Sequence, residues 1–128
     1  LLSALQYESL EEAVAATVDA YVTLLLQLVQ QHNFRIYVHP VPPVLDETLH
    51  IASLFNTALH NRLTTALQAQ PELIGRLAYL AFAQQLVAEN GSSLQQQLAV
   101  DNTHLHPRYL VHLEAKLNAA LHVAAVDG

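Results

Sequence analysis

Phe34-Arg35-Ile36-Tyr37-Val38-His39-Pro40-Val41-Pro42-Pro43 is the stretch on which the fold turns. Its first five residues are aromatic and β-branched around one arginine, the composition of a strand. Its three prolines remove backbone donors and force extended or turn geometry on their neighbours, so the strand must stop at His39 and leave through a rigid loop. Upstream, Ser9 followed by Glu12 forms a capping-box pattern. Val14, Val18, Tyr21, Val22, Leu25, Leu28 and Val29 then recur at steps of three and four, which predicts one amphipathic helix over about 9–31, ended by Gln30, Gln31, His32 and Asn33. Downstream, Asp46 is placed to cap a second helix over about 47–69. The apolar face of that helix is Leu49, Ala52, Leu54, Phe55, Ala58, Leu59, Leu63 and Leu67, and Pro71 closes it.

A second apolar run, residues 77–82, has the length of a buried parallel strand, so residues 34–82 read as a β-α-β unit with a right-handed crossover. Residues 83–100 are rich in glutamine and read as surface, with a helical turn near 84–88 and a loop at Asn90-Gly91-Ser92-Ser93. Pro107 suits the first turn of a last helix running through Tyr109, Leu110, Leu113, Leu117 and Leu121, with Lys116 towards its end. The order α-β-α-β-α offers two strands to cover three helices. A doubly wound sheet normally has more, so further strands are expected upstream.

At 128 residues and 52% hydrophobic content the chain reads as one partial α/β domain over 1–128. Five Lys and Arg against 11 Asp and Glu, a formal charge of -6, argue against a nucleic-acid partner. Zero cysteines exclude disulfides and thiolate chemistry and leave the compartment open. The apolar run over residues 21–29 is broken by Thr23 and Gln27 and falls short of the roughly 20 residues a membrane span needs, so no span is expected. Leu1-Leu2 has no basic segment of a signal peptide, and the absence of methionine suggests a truncated chain.

In open parallel α/β sheets, active sites lie outside the carboxyl ends of the strands, which directs attention to the His39 loop and to the loop over 90–107. Asp101-Asn102-Thr103-His104-Leu105-His106-Pro107 sets a carboxylate three residues before a histidine, a spacing at which it can reach ring Nδ1 and orient Nε2. The segment over 101–109, read as D-x-T-H-L-x-P-x-Y, resembles the last conserved block of the SGNH (GDSL-type) hydrolases. The resemblance extends back through residues 34–45 and Phe55-Asn56, and so covers nearly the whole chain. It implies the C-terminal portion of a three-layer α/β/α, flavodoxin-like fold with a parallel sheet whose N-terminal strands are missing. It also implies a serine-type esterase in which His104 is the general base and Asp101 its orienter. The substrate of the complete protein would be a small-molecule ester, and neither metal nor organic cofactor is implied.

The family's nucleophile block, and the glycine and asparagine blocks that complete its oxyanion hole, have no counterpart here. Asn102 stands where glycine is usual, a position whose αL geometry asparagine tolerates. Ser3, Ser9, Ser53, Ser92 and Ser93 lie on helices or in the Gly91 loop rather than on a strand-to-helix elbow, so the chain alone is expected to be inactive.

Other readings are blander. His39 either lines the substrate site or bonds the backbone of its own proline loop. The pair His50 and His60, ten residues apart, and His104 with His106 invite a zinc reading, but no third ligand has a convincing spacing, so no metal is expected. Asp46 and Glu47 suit a helix N-terminus better than a catalytic pair. The wide apolar stripe of the first helix is what packing on a sheet requires, although it would also serve a partner helix. The alternative to the hydrolase is a non-catalytic α/β interaction module that self-associates through an uncovered sheet edge or helix face.

Overall fold

The computed structural model describes residues 9–45, 50–88, 93–101 and 104–127, with side chains to residue 122. Helix α1 spans Leu10–Gln31, and Ser9 caps it by accepting the Glu12 N–H at 3.1 Å on its hydroxyl. Ala13, Val14, Val18, Val22, Leu25 and Val29 form its buried stripe. The last turn of α1 has no basic residue of its own. Arg76 supplies the missing charge from across the fold, donating from Nη2 to the carbonyls of Val29 and His32, where the helix dipole is negative.

Strand β1 is Ile36–Val38 and strand β2 is Leu77–Tyr79. They pair in parallel, with Ile36 opposite Leu77, Tyr37 opposite Ala78 and Val38 opposite Tyr79. Both are shorter than the runs 34–38 and 77–82 that the composition predicts. At one end the ladder begins where the Ile36 N–H meets the Arg76 carbonyl at 2.8 Å. The residue before Arg76 is Gly75, whose φ of 89° turns the chain away and leaves Phe34 without a strand partner. At the other end the Leu80 N–H reaches the Val38 carbonyl at 2.9 Å. Pro40 then has no N–H with which to continue.

Helix α2, Ile51–Ala69, is the crossover between the strands. It begins later than the expected 47. Its N-cap is His50, in a left-handed conformation with φ 53° and without a side-chain cap. Residues Asp46, Glu47 and Leu49 lie outside the described residues. A salt bridge of 2.9 Å from Arg62 to Asp19 joins α2 to α1 on the surface.

The alternation of side chains along a strand separates two apolar clusters. Ile36, Val38, Leu77 and Tyr79 pack with the stripes of α1 and α2. Tyr37 and Leu80 pack on the opposite side with Phe82, Leu86, Leu94 and Leu98, and with Leu113, Leu117 and Ala120 of helix α3, Leu110–Asp127. Helices therefore cover both faces of a two-stranded parallel sheet, a mixed α/β arrangement.

Residues 83–100 are not the surface segment their glutamines suggest. Leu86, Leu94 and Leu98 are buried, and they fill the second cluster between short 3-10 turns at Ala83–Leu86 and Gln96–Leu98. Their irregular spacing gives no helix or strand period, which hides them in the sequence. Gln95 holds the segment together by donating its amide to the carbonyls of Gln85 and Val87, each at 3.1 Å. The last helix is likewise preceded by a separate 3-10 turn, Pro107–Tyr109, rather than starting at Pro107.

By length and composition alone helix α1 could cross a membrane, a test that a core helix also passes, so the described residues give no clear membrane span, in line with the interruptions at Thr23 and Gln27. Alanines and valines raise its mean hydropathy without forming one continuous run. Its buried stripe is covered by α2 and the sheet, while Tyr21 and Leu24 remain exposed on the other side.

Burial pushes the Tyr79 hydroxyl up from 10.0 to about 12. The unfolded chain loses that proton first as pH rises, so the native state holds more protons between about pH 10 and 12 and its stability falls across that window. Urea unfolding should show the alkaline decline, and Tyr79→Phe should flatten it.

Candidate functional site

Three loops meet at one end of the sheet. His39 follows β1, Phe82 follows β2, and Tyr109 precedes α3. The His39 ring stands edge-on to Phe82, with centroids 5.1 Å apart, and edge-on to Tyr109 at 5.7 Å. Phe82 and Tyr109 stack at 6.2 Å. This aromatic group ties the segment over 101–109 to the carboxyl ends of both strands, where open α/β sheets place their sites.

Within that segment, short backbone pairings fix the loop that carries the acid and the histidine. The Val100 N–H donates to the His104 carbonyl at 2.9 Å, the His106 N–H donates to the Leu98 carbonyl at 2.7 Å, and Ala99 bridges Leu105 in antiparallel fashion. Asp101 Oδ1 accepts the backbone N–H of His104 at 2.9 Å, closing the turn. The same carboxylate faces His104 Nδ1, with Oδ1 at 2.8 Å and Oδ2 at 2.9 Å. An ionised carboxylate only accepts, so Nδ1 is the protonated nitrogen and Nε2 the basic one. The three-residue spacing thus gives a fixed, oriented imidazole. Both side chains are open to water, His104 74% and Asp101 56% exposed. The flanking Val100 is also exposed, at 63%.

His39 has its Nδ1 2.6 Å from the Pro40 carbonyl, so its ring bonds the backbone of its own loop while lying against Tyr109 of the candidate site. His106 Nδ1 accepts the Arg108 N–H at 3.1 Å and caps the Pro107–Tyr109 turn. His60 stacks on Tyr79 at 4.9 Å, far in role from His50 at the start of α2. Among the described residues no three His, Asp or Glu side chains gather as a metal site. Ser9 caps α1, Ser53 lies on α2, and the Ser93 carbonyl accepts the Ala88 N–H at 2.7 Å. Ser3, Ser92 and Asn102 lie outside the described residues.

One residue that shapes the site went unassigned in the sequence. The Asn56 side chain accepts the Val41 N–H and donates to the Val41 carbonyl, both at 2.8 Å, and clamps the proline loop beside His39. Its signal was available, because Asn56 falls on the buried stripe of α2 between Ala52 and Leu59, where an amide needs partners. Asn56→Ala should cost about 2 kcal/mol in chemical denaturation by leaving both Val41 groups without their partner. Asn56→Asp should cost more, because a carboxylate would face the Val41 carbonyl.

Comparison with models of protein families, with curated proteins and with solved structures finds no match to this chain.

Proposed function

We propose that this chain carries the acid–base part of a Ser–His–Asp ester hydrolase, as the C-terminal portion of a three-layer, flavodoxin-like fold of the SGNH type. The observation that carries the reading is the Asp101 carboxylate held on His104 Nδ1 at 2.8 Å in the segment tied to the strand ends. In this chemistry His104 Nε2 takes the proton of a serine hydroxyl as its oxygen attacks the acyl carbonyl, and Asp101 stabilises the imidazolium that forms. The imidazolium then returns the proton to the departing alcohol. In the second half-reaction the same nitrogen removes a proton from the water that attacks the acyl carbonyl, and returns it to the serine oxygen as the acyl–serine bond breaks and the acid is released. Serine and oxyanion donors belong to an upstream segment of the complete protein.

Exposure supports this division. A general base works best where water is excluded, and a 74% exposed imidazole is not so shielded. The exposed Val100 beside it is surface that such an upstream segment would cover.

Intact-mass analysis after treatment with a fluorophosphonate tests the reading. The 128-residue chain should give no adduct. A longer protein that carries an upstream strand-to-helix serine should give one, together with hydrolysis of p-nitrophenyl acetate. If the longer protein neither labels nor hydrolyses, the reading fails and the non-catalytic interaction module takes its place.

A further inference from the structure

Side chains from both faces of the sheet line one cavity of about 230 Å³. Leu63, Leu77 and Tyr79 belong to the face packed on α1 and α2, whereas Tyr37 and Ala120 belong to the face packed with α3. A cavity reached from both faces lies at the edge of the sheet. Ile36 and Val38 of β1 do not line it and all three residues of β2 do, so the edge is that of β2.

The register determines what this edge offers. The Arg76 carbonyl and the Leu80 N–H are bonded to β1. Backbone groups alternate in direction along a parallel strand, so Ala78 also faces β1, and the N–H and C=O groups of Leu77 and Tyr79 face away from it. Those outward groups have no partner among the described residues. Leu77-Ala78-Tyr79 carries neither charge nor proline, two usual means of keeping a free edge from pairing.

We infer that β2 is a dimerisation strand, pairing antiparallel with β2 of a second copy of this chain about a two-fold axis at Ala78. In that register Leu77 of each copy lies opposite Tyr79 of the other, and each such pair exchanges both N–H···O=C bonds, so every free group on both strands finds a partner. Ala78 meets its own counterpart at the closest approach in the ladder, where a small side chain fits. The two-stranded sheet becomes one of about four strands, an ordinary size.

Charge and area favour a second copy as the occupant. The lining includes His60, Thr64 and Tyr79 but no Asp, Glu, Lys or Arg, so two chains of net charge -6 meet here without facing carboxylates. Three residues of strand bury little area, and α3 supplies more. None of its described side chains is buried, and Leu121, 42% exposed, follows Ala120 of the cavity wall. The two-fold axis sets α3 of both copies on one face of the joined sheet. Neither Asp101 nor His104 lines the cavity, so the pairing stands apart from the hydrolase reading.

Sedimentation velocity of the 128-residue chain should pass from one chain to two as its concentration rises through about 10–100 µM. The Leu77 and Tyr79 amides should exchange with solvent about tenfold more slowly in the dimer. The chain has no cysteine, so Ala78→Cys places a single thiol at the axis, where facing Cα atoms about 4.5 Å apart lie within disulfide range. Oxidation should join Ala78→Cys into a covalent dimer, while Ala20→Cys, exposed on α1, should stay single at the same concentration. A chain that remains single at about 500 µM overturns the inference. So does a dimer whose Leu77 and Tyr79 amides exchange as freely as in the single chain, or one in which Ala78→Cys cross-links no faster than Ala20→Cys.

Discussion

On the proposed reading, His104→Ala in a longer protein that supplies the serine should lower ester turnover by about four orders of magnitude, the scale lost when a member of such a triad is removed. The loss follows from one nitrogen serving twice, first taking the proton of the nucleophile and then taking one from water. Asp101→Asn should fall by a comparable factor for a different reason. An asparagine amide can keep the turn by accepting the His104 N–H, as Asp101 Oδ1 does now. It no longer offers two carboxylate oxygens to Nδ1, so the ring loses both its preferred tautomer and the charge that stabilises its protonated form. In the 128-residue chain, where His104 and Asp101 are 74% and 56% exposed, neither substitution should change the unfolding free energy by more than about 0.5 kcal/mol. Steady-state kinetics beside urea unfolding separate the two effects. Loss of activity with loss of fold would place these residues in the scaffold, and unchanged activity would remove them from the chemistry.

Phe82→Ala should destabilise the chain by about 3–5 kcal/mol, the usual cost of emptying a buried aromatic site. Phe82 is 0% exposed and sits at the centre of the second cluster, among Leu80, Leu86, Leu94 and Leu98. The loss is a large share of the roughly 5–15 kcal/mol that holds a typical domain together. The same ring supports His39 and Tyr109, so the substitution should also loosen the end of the sheet at which the Asp101 segment docks. Urea unfolding should show a lower midpoint at a nearly unchanged slope. Phe34→Ala is the matched control, because Phe34 is 45% exposed and its removal should cost about 0.5 kcal/mol or less.

The parts of the fold that were legible in sequence are those with a period or a chemical stop. The stripe of α1, its Ser9 cap and the proline end of β1 follow directly from spacing and residue type. The parallel pairing of β1 with β2 follows from a helix-length crossover between two short apolar runs. Strand lengths were not legible, because they depend on the partner. Gly75 and Pro40 trim the ladder from opposite ends, and each acts on a strand other than its own. The second core was hidden for a related reason: Leu86, Leu94 and Leu98 are single leucines each next to a glutamine, and only their meeting with Phe82 and α3 makes them interior. At the site, the local relation between Asp101 and His104 was readable because three residues of chain set it. Two others required the folded chain. They are the clamp of Asn56 on Val41, made across 15 residues, and the contact of His39 with Tyr109.

The parallel pairing also sets how quickly the molecule can assemble. Ile36 meets Leu77 only after the intervening stretch of about forty residues has been brought round, and closing such a loop in a flexible chain carries an entropic penalty that grows with the logarithm of its length. Much of that stretch is α2, which shortens the distance to be searched once its turns have formed. Collision of the two strands should therefore be the slow event, so refolding should fall in the range of mixed α/β domains rather than that of the fastest helical bundles. Substitutions that weaken α2 on its exposed side, such as Thr57→Gly, should slow refolding more than they speed unfolding.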